Sequence, residues 1–95
     1  MPIPIPIADD ARPRLARGIR LQIDRETGKG VLLYPEGILE LNETAQAILS
    51  YCDGKTLGEI ASLLGEQYEA NHGTIMAEVR ETLDELQQRK LIELA

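Results

Sequence analysis

The chain has 95 residues and carries 10 basic against 16 acidic side chains, and its net charge of −6 argues against a nucleic-acid-binding protein. Its length allows one domain with a modest core. Its single cysteine excludes an internal disulfide, and no apolar stretch reaches the roughly 20 residues of a membrane span. The single cysteine and the lack of a basic, signal-like N-terminus predict a cytoplasmic protein.

Residues 1–13 are predicted to form an extended, proline-rich N-terminal arm, and residues 14–95 one folded domain. Four prolines in the arm hold φ near the extended value and lack the amide hydrogen that a helix requires. Isoleucines alternate with the first three prolines. Such an apolar arm could pack on this domain, bridge to a second copy in a homodimer, or be a disordered terminus.

Three short strands are predicted after the arm. Residues 19–23 alternate between apolar and polar side chains, which is typical of a half-buried strand. A polar loop with two glycines leads to a return strand over residues 31–34, and a Pro-Glu-Gly turn leads to a third strand over residues 38–41. This order predicts an antiparallel meander with the third strand at an edge.

Three helices are predicted in the second half of the chain. Asn42 is suited to cap the first helix, and Thr56 with Glu59 matches the capping box that opens a second helix. The third helix is predicted over residues 74–89, and residues 91–94 form either a last strand or a cap on the core. We therefore expect an α+β, winged-helix-like fold, with a three-stranded antiparallel sheet followed by a three-helix bundle.

Neither Cys52 nor His72 is predicted to carry catalysis. A catalytic thiol needs a base beside it, and the only histidine lies twenty residues away. Cys52 falls on the apolar face of the first predicted helix, where a cysteine behaves as a small hydrophobe. One cysteine and one histidine do not supply the ligands of a zinc site. We expect no catalytic set, no metal and no cofactor, and hence a protein that is not an enzyme.

The third predicted strand is the best candidate for a binding surface. An uncovered edge presents unpaired amide and carbonyl groups that accept an added peptide strand. The alternative is an edge protected by its shortness and by Glu40, or covered by the arm. The exposed side of the last helix is predicted to be a solvated face, with a surface for a basic partner as the alternative, and its acidic residues are Glu78, Glu81, Asp84 and Glu85.

Three segments of the chain resemble a known protein family: RPRLARGIRLQID, GVLLYPEGILELNETAQAIL and CDGKTLGEIA. Their distinctive features are Arg-Pro before the first strand, Leu-x-Leu-Asn-x-x-Ala before the first helix, and Cys-Asp-Gly followed by Thr and Glu-Ile. Over about residues 12–93 the chain resembles the PqqD family, the small peptide-binding proteins of pyrroloquinoline quinone (PQQ) biosynthesis.

This resemblance implies a non-catalytic peptide chaperone, a recognition element for a ribosomally made precursor peptide. Members of the family bind the precursor peptide PqqA and present it to PqqE, a radical S-adenosylmethionine (SAM) enzyme that links a glutamate and a tyrosine within the peptide. Related domains take up the leader as an extra strand beside the third strand and the last helix. Carried onto this chain, the peptide-binding residues would be Ile38, Leu39, Glu40, Leu41, Val79, Arg80, Leu83 and Leu86.

In this interpretation the strand acts mainly through its backbone and the helix through apolar pockets. Proline at Leu39 is accordingly expected to remove an edge amide and to abolish peptide capture.

A winged-helix transcription regulator that binds DNA is the alternative function. Residues 1–35 carry a net charge of +2, whereas residues 36–95 carry −8. The predicted recognition helix and the residue after it, 74–90, contain four acidic and three basic side chains. Because a DNA-binding surface is matched to phosphate by its positive charge, the peptide chaperone is the favoured prediction.

Overall fold

A computed structural model describes residues 7–95 of the chain. The strands form a three-stranded antiparallel sheet in the order β2-β3-β4 and a two-stranded antiparallel sheet of β1 and β5. The predicted meander, the three helices and the α+β fold are confirmed, whereas β1 was not predicted. The elements are β1 (Pro13–Leu15), β2 (Arg20–Ile23), β3 (Gly30–Tyr34), β4 (Gly37–Glu40), α1 (Glu43–Ser50), α2 (Leu57–Tyr68), α3 (His72–Gln88) and β5 (Ile92–Leu94).

The three-stranded sheet turns one face toward the helices. Leu21, Leu32 and Leu39 lie opposite one another in the register, and Leu32 is fully buried. The side chains between them alternate to the other face, as the pleat of a strand requires. There Ile38 is paired with Leu33 and is 66% exposed. The sheet therefore contributes one face to the core and leaves the other in contact with solvent.

Each helix begins at a side-chain cap that the local sequence encodes. The Asn42 carboxamide oxygen accepts a hydrogen bond from the Ala45 amide at 2.7 Å, and Thr56 with Glu59 forms the predicted capping box. Asn71 caps α3, which begins at His72 and so two residues earlier than predicted. None of the helices in residues 7–95 combines the length and apolarity needed to cross a membrane.

The core is aliphatic and lies between the three-stranded sheet and the helices. Every helix contributes a buried stripe at three- and four-residue spacing, which is the periodicity of an amphipathic helix. The helical members of the core are Ala45, Ile48, Leu49, Leu57, Ile60, Ala61, Leu64, Ile75, Val79, Leu83 and Leu86.

The described part of the predicted arm packs on the domain. Ile7 is only 3% exposed and belongs to the core. Its packing adds apolar surface to a domain that has no phenylalanine or tryptophan. Residues 1–6 lie outside the described residues, so the homodimer bridged by the arm and the division of the chain at residue 13 stay predictions.

The N-terminal segment also completes the cap of α2. The carbonyl oxygens of Asp9 and Ala11 accept hydrogen bonds from the amides of Gly58 and Leu57, each at 2.9 Å. These amides lie in the first turn of α2, where a helix has no partners of its own to offer. The N-terminal segment and the capping box together provide hydrogen-bond acceptors for the backbone amides in the first turn of α2.

The two-stranded sheet brings the two ends of the described chain together. Pro13 lies opposite Leu94 in the register and is fully buried. The chain reaches β5 through a left-handed residue, Lys90, at φ 62°, after which the Leu91 amide donates to the Leu86 carbonyl at 2.9 Å. This bond ends α3 in a Schellman motif and turns the chain back toward β1.

Candidate peptide-binding site

The predicted edge strand is β4. Among the described residues it pairs only with β3, and a two-residue turn of Pro35 and Glu36 connects the two strands. β2 forms the opposite edge of the same sheet. In the part of the chain that the structure describes, the sheet therefore presents two edges that no further strand covers, and the β4 edge is the one that leads into α1.

The register identifies which backbone groups of β4 face the open edge. The Leu41 amide donates to the Gly30 carbonyl at 2.9 Å, so these two residues form a hydrogen-bonded pair. Hydrogen-bonded and non-hydrogen-bonded pairs alternate along an antiparallel ladder, so Leu39 is again bonded to β3. Ile38 and Glu40 occupy the pairs between, and their amide and carbonyl groups therefore point away from β3.

The neighbouring ladder agrees with this assignment. The Asp24 amide donates to the Lys29 carbonyl at 2.8 Å, so the hydrogen-bonded pairs with β2 include Val31 and Leu33. The remaining residues of β3 are then the ones that bond to β4. Both ladders place Ile38 and Glu40 at the free edge.

The expectation that Leu39 offers an edge amide is therefore wrong. The Leu39 amide is directed into the ladder with β3, and its side chain packs against the core. An edge strand can be predicted from the order of the elements, but the direction of each amide depends on the register. The edge-facing residues are Ile38 and Glu40, one position to either side.

Three of the four predicted residues of α3 are buried, and one of these, Val79, also lines an apolar pocket of about 230 Å³. Val79, Leu83 and Leu86 are buried in the core together with Leu41. Their side chains anchor α3 in the core that it shares with the sheet. The structure thus joins the predicted strand and helix residues through the core.

Arg80 has a different neighbourhood. Its Nε donates to the Ile7 carbonyl at 3.0 Å, and its guanidinium also bonds to the Asp9 carboxylate. The side chain is about one third exposed. Arg80 therefore holds the N-terminal segment against α3, and sequence reasoning missed this contact because it joins residues more than 70 positions apart.

Two cavities lie near the two ends of β4, and each joins residues that flank this strand to residues of α3 or of the segment that follows it. At the Glu40 end, a cavity of about 180 Å³ joins the start of α1 to α3 and is lined by Asn42, Thr44, Glu78, Glu81 and Thr82. At the Gly37 end, a cavity of about 310 Å³ joins the β3–β4 turn to the end of α3 and is lined by Arg17, Ile19, Tyr34, Pro35, Glu36, Arg89, Lys90 and Leu91. We call the space between them the β4–α3 groove.

The helical wall of this groove follows from the two cavities and the helical period. Glu78, Thr82, Glu85 and Arg89 are spaced by four, three and four residues, so they share one stripe of α3. Glu78 and Thr82 line the first cavity and Arg89 lines the second. This exposed stripe lies next to the buried stripe of α3. Polar side chains at three- and four-residue spacing were the sequence signal from which this wall could have been predicted.

An apolar pocket continues the groove beyond β4. Its volume is about 230 Å³, and it shares Thr44 and Glu78 with the cavity at the Glu40 end. A larger open cavity of about 690 Å³ lies away from β4, between Asp9, the start of α2 and His72. Its lining includes no residue of β4 or of the segments that flank it, whereas the cavities at the two ends of β4 are lined by residues just before and just after this strand. We therefore assign the candidate site to the groove.

Cys52 has the surroundings of a structural thiol. Burial, followed by the negative charge of Asp53, raises the pKa of Cys52 to about 12. Its Sγ lies 3.4 Å from the Ile48 carbonyl oxygen, just beyond the end of α1. The thiol is therefore protonated at neutral pH, and a protonated thiol is a poor nucleophile.

Within residues 7–95, no group of three or more histidine, cysteine and carboxylate side chains is arranged to hold a metal ion. His72 is exposed in the first turn of α3. The Thr56 amide donates to the Glu59 carboxylate at 2.9 Å, and this bond, followed by the effect of the Thr56 side chain, lowers the pKa of that carboxyl group. This shift belongs to a helix cap, since the bond is one half of the capping box, in which the Glu59 amide also donates to the Thr56 hydroxyl at 3.1 Å.

Comparison with known proteins identifies the family. The family described as coenzyme PQQ synthesis protein D (PqqD) matches residues 29–92. The chain belongs to the PqqD family. A relative from Xanthomonas axonopodis pv. citri, named a PqqA binding protein, is 39% identical over 89 residues, which cover 93% of this chain and 97% of the relative.

The second relative is a longer protein. The bifunctional coenzyme PQQ synthesis protein C/D of Methylorubrum extorquens is 40% identical over 82 residues, or 85% of this chain. The match spans only 22% of that relative. Most of the length of that relative therefore lies outside the match.

Two solved structures share the fold. The solution structure of the PqqD truncation of Methylobacterium extorquens PqqCD, described as a functional, stand-alone recognition element, matches with a TM-score of 0.79 and 38% identity. It covers 92% of this chain and 94% of that one. TbiB1 in complex with the TbiA(β) leader peptide matches with a TM-score of 0.74 over 84% of this chain and 94% of that one. At 22% identity, the second match concerns the fold alone.

Proposed function

We propose that this protein is a non-catalytic peptide chaperone of PQQ biosynthesis that binds the precursor peptide PqqA by β-strand addition in the cytoplasm. The single observation that carries the proposal is the open edge of β4, where Ile38 and Glu40 present their amide and carbonyl groups outward. Strand addition uses such a row for affinity and neighbouring pockets for specificity. Relatives named PqqA binding protein support the identity of the peptide.

The predicted residues divide into three roles in this proposal. Ile38 and Glu40 bond to the peptide backbone, while Leu39 and Leu41 hold β4 on β3 and on the core. The buried residues Val79, Leu83 and Leu86 set the position of α3, whose exposed stripe forms the opposite wall. Arg80 acts indirectly, by holding the N-terminal segment on α3.

The bound peptide is presented to PqqE, the radical SAM enzyme that modifies it. The protein itself supplies no chemistry in this scheme, because its one thiol is protonated and its one histidine is exposed and distant from β4. The DNA-binding alternative is not favoured, because the exposed side of α3 carries Glu78, Glu81 and Glu85.

The test is a titration of isotope-labelled protein with synthetic PqqA, followed through amide NMR shifts. We expect saturable shifts at Ile38 and Glu40 and along the exposed stripe of α3. The variant Ile38→Pro removes an outward amide and should weaken binding at least tenfold, since several hydrogen bonds of about 1 kcal/mol each depend on that pairing.

The other edge of the sheet provides a matched control. Ile23 in β2 is also an exposed isoleucine, at 46%, and its amide also points outward because it follows the alternation of the β2–β3 ladder. Ile23→Pro should leave PqqA affinity within twofold of wild type. Equal losses in both proline variants, or wild-type affinity in a folded Ile38→Pro variant, would contradict strand addition at β4.

Presentation to PqqE is tested separately. PqqE should form the glutamate–tyrosine link in PqqA with the wild-type chaperone and with Ile23→Pro, and much more slowly with Ile38→Pro. Identical rates with and without the chaperone would refute the presentation step while leaving peptide binding intact.

A further inference from the structure

Backbone pairing at β4 does not determine the direction in which the bound peptide runs. Parallel and antiparallel strands both satisfy an edge, with similar stability per residue. The side chains around the groove must therefore set the direction in which the peptide runs. The two ends of the β4–α3 groove differ sharply in charge.

The Gly37 end is positively charged. Arg17, Arg89 and Lys90 line the cavity there, against one carboxylate from Glu36. All three basic side chains are exposed, and none forms an ion pair with a carboxylate of the described residues. We call this set the basic cleft.

The Glu40 end is negatively charged. Glu78 and Glu81 line one cavity there, and Glu40 and Glu43 line an adjoining cavity of about 520 Å³. Lys29 pairs with Glu40 at 3.4 Å and offsets one of the four charges. We call these four carboxylates the acidic end.

The two charged ends are far enough apart to act separately. A four-residue strand spans about 13 Å, whereas charges in water are screened over about 8 Å at physiological salt. Each charged end therefore acts mainly on the part of a bound peptide that lies nearest to it. A charge on the peptide is attracted at one end and repelled at the other.

We propose that this charge difference orients the bound precursor peptide. A segment with carboxylates lies in the basic cleft, and a segment with lysine, arginine or a free α-amino group lies at the acidic end. The inference rests on the proposed strand addition and adds a class of substrate: a peptide with a short β-forming run between segments of opposite charge. A peptide in the wrong direction places like charges together at both ends.

A helix-stability role is the competing account of the basic cleft. Cations at the end of a helix interact favourably with its dipole, and Arg89 and Lys90 follow the last residue of α3. That account predicts a change in thermal stability when the charges are reversed. It predicts no change in how a peptide is oriented.

The test uses the full chain and synthetic PqqA with a spin label at its N-terminus. In the wild-type protein, paramagnetic broadening should affect either the Gly37 end or the Glu40 end of the groove, and not both. The double variant Arg89→Glu/Lys90→Glu should weaken binding at least tenfold at low salt, because two exposed attractions become repulsions. The broadening should also spread to both ends.

The matched control is Arg20→Glu/Arg25→Glu. These residues are exposed, form no ion pair among the described residues, and lie in β2 and its hairpin loop, so the variant has the same net charge with an intact basic cleft. It should bind within twofold of wild type, with unchanged broadening. The difference between the two double variants should shrink in about 0.5 M salt.

The outcomes separate this inference from the proposed function. Binding that is lost in Ile38→Pro but equal in the two double variants would retain strand addition and overturn the charge-set orientation. Broadening at both ends in the wild type would overturn it as well. If wild-type protein gives no saturable shift with PqqA, the proposed function fails first and the orientation fails with it.

Discussion

Two short strands of this molecule, β1 and β4, have opposite relations to the rest of the fold. β1 has three residues and pairs with β5 on one side and, through Arg14, with Asp53 on the other. β4 has four residues and, within residues 7–95, pairs on one side only. Pro13 of β1 is fully buried, whereas Ile38 of β4 is 66% exposed.

The comparison indicates that β1 closes the domain, whereas β4 offers an edge for binding. Around β1 the remaining backbone groups also find partners, since the Ala95 amide donates to the Arg12 carbonyl and the Ala16 amide to the Leu91 carbonyl. Within residues 7–95, the outward groups of the β4 edge pair with no other strand. Its shortness and the charge of Glu40 limit unwanted pairing with other chains, which are common protections of an open edge.

Breaking the closed region should have the largest effect. Ile92→Ala in β5 removes a side chain that is 3% exposed and should lower the free energy of unfolding by about 2–4 kcal/mol, measured by urea denaturation. The half-buried neighbour Leu94 is the control, and Leu94→Ala should cost less. The folded fraction of both variants should bind PqqA normally, so a specific loss of affinity would contradict the division between the two strands.

The effect of a proline in β4 should depend on its position: at one residue it should weaken peptide binding, and at the next it should destabilise the fold. Glu40→Pro removes an outward amide and should weaken PqqA binding at least tenfold, with less than about 1 kcal/mol lost in stability. Leu39→Pro instead breaks the ladder with β3 and should destabilise the fold by about 3 kcal/mol. Calorimetric titration and thermal unfolding of both variants check the register, and reversed results would overturn it.

The cap of α2 should affect stability and leave the groove unchanged. Thr56→Ala should cost about 1 kcal/mol at pH 7, because it removes one half of the capping box. Hydrogen bonding to Thr56 lowers the pKa of Glu59 in the folded state. The stabilisation by the ionised Glu59 carboxylate is therefore fully present above the usual carboxyl pKa of 4.5 and is lost as the pH falls through the lowered pKa. Because Thr56→Ala keeps the backbone amide that bonds to the carboxylate, the pH dependence is tested with Glu59→Gln. Unfolding from pH 7 to pH 3 should show the wild type and Glu59→Gln converging, and parallel curves would disagree with this cause.

The smallest effect on binding is expected at Cys52. Because burial raises the pKa of its thiol to about 12, native protein should react with iodoacetamide at pH 8 far more slowly than unfolded protein in urea. Cys52→Ala should bind PqqA within twofold of wild type. Rapid alkylation of the native protein would show that the thiol is accessible and ionised.

Local signals predicted the elements well. Asn42, Thr56 and Glu59 cap their helices as expected, since a cap needs only residues two or three positions apart. The meander followed from alternation and turn residues for the same reason. The resemblance to the PqqD family lies in short patterns of this kind, so the amino-acid sequence was enough to identify it.

Contacts between distant parts of the chain were not predictable in this way. Pairing of β1 with β5 joins residues about 80 positions apart, and a three-residue strand has too short a pattern to be recognised alone. The core position of Val79, Leu83 and Leu86 was predicted as a stripe, but whether that stripe faces a groove or the interior depends on what packs against it. The contact of Arg80 with Ile7 has the same origin.

The sequence by itself determined the helices, the meander, the family and the absence of a recognisable catalytic motif, because these depend on neighbouring residues and short patterns. Only the tertiary structure decided which amides of β4 face outward, which stripe of α3 lines the groove, and that the groove is basic at one end and acidic at the other. Each of these depends on register and packing between elements, and a shift of one residue in register turns every side chain and every amide of a strand to the opposite side.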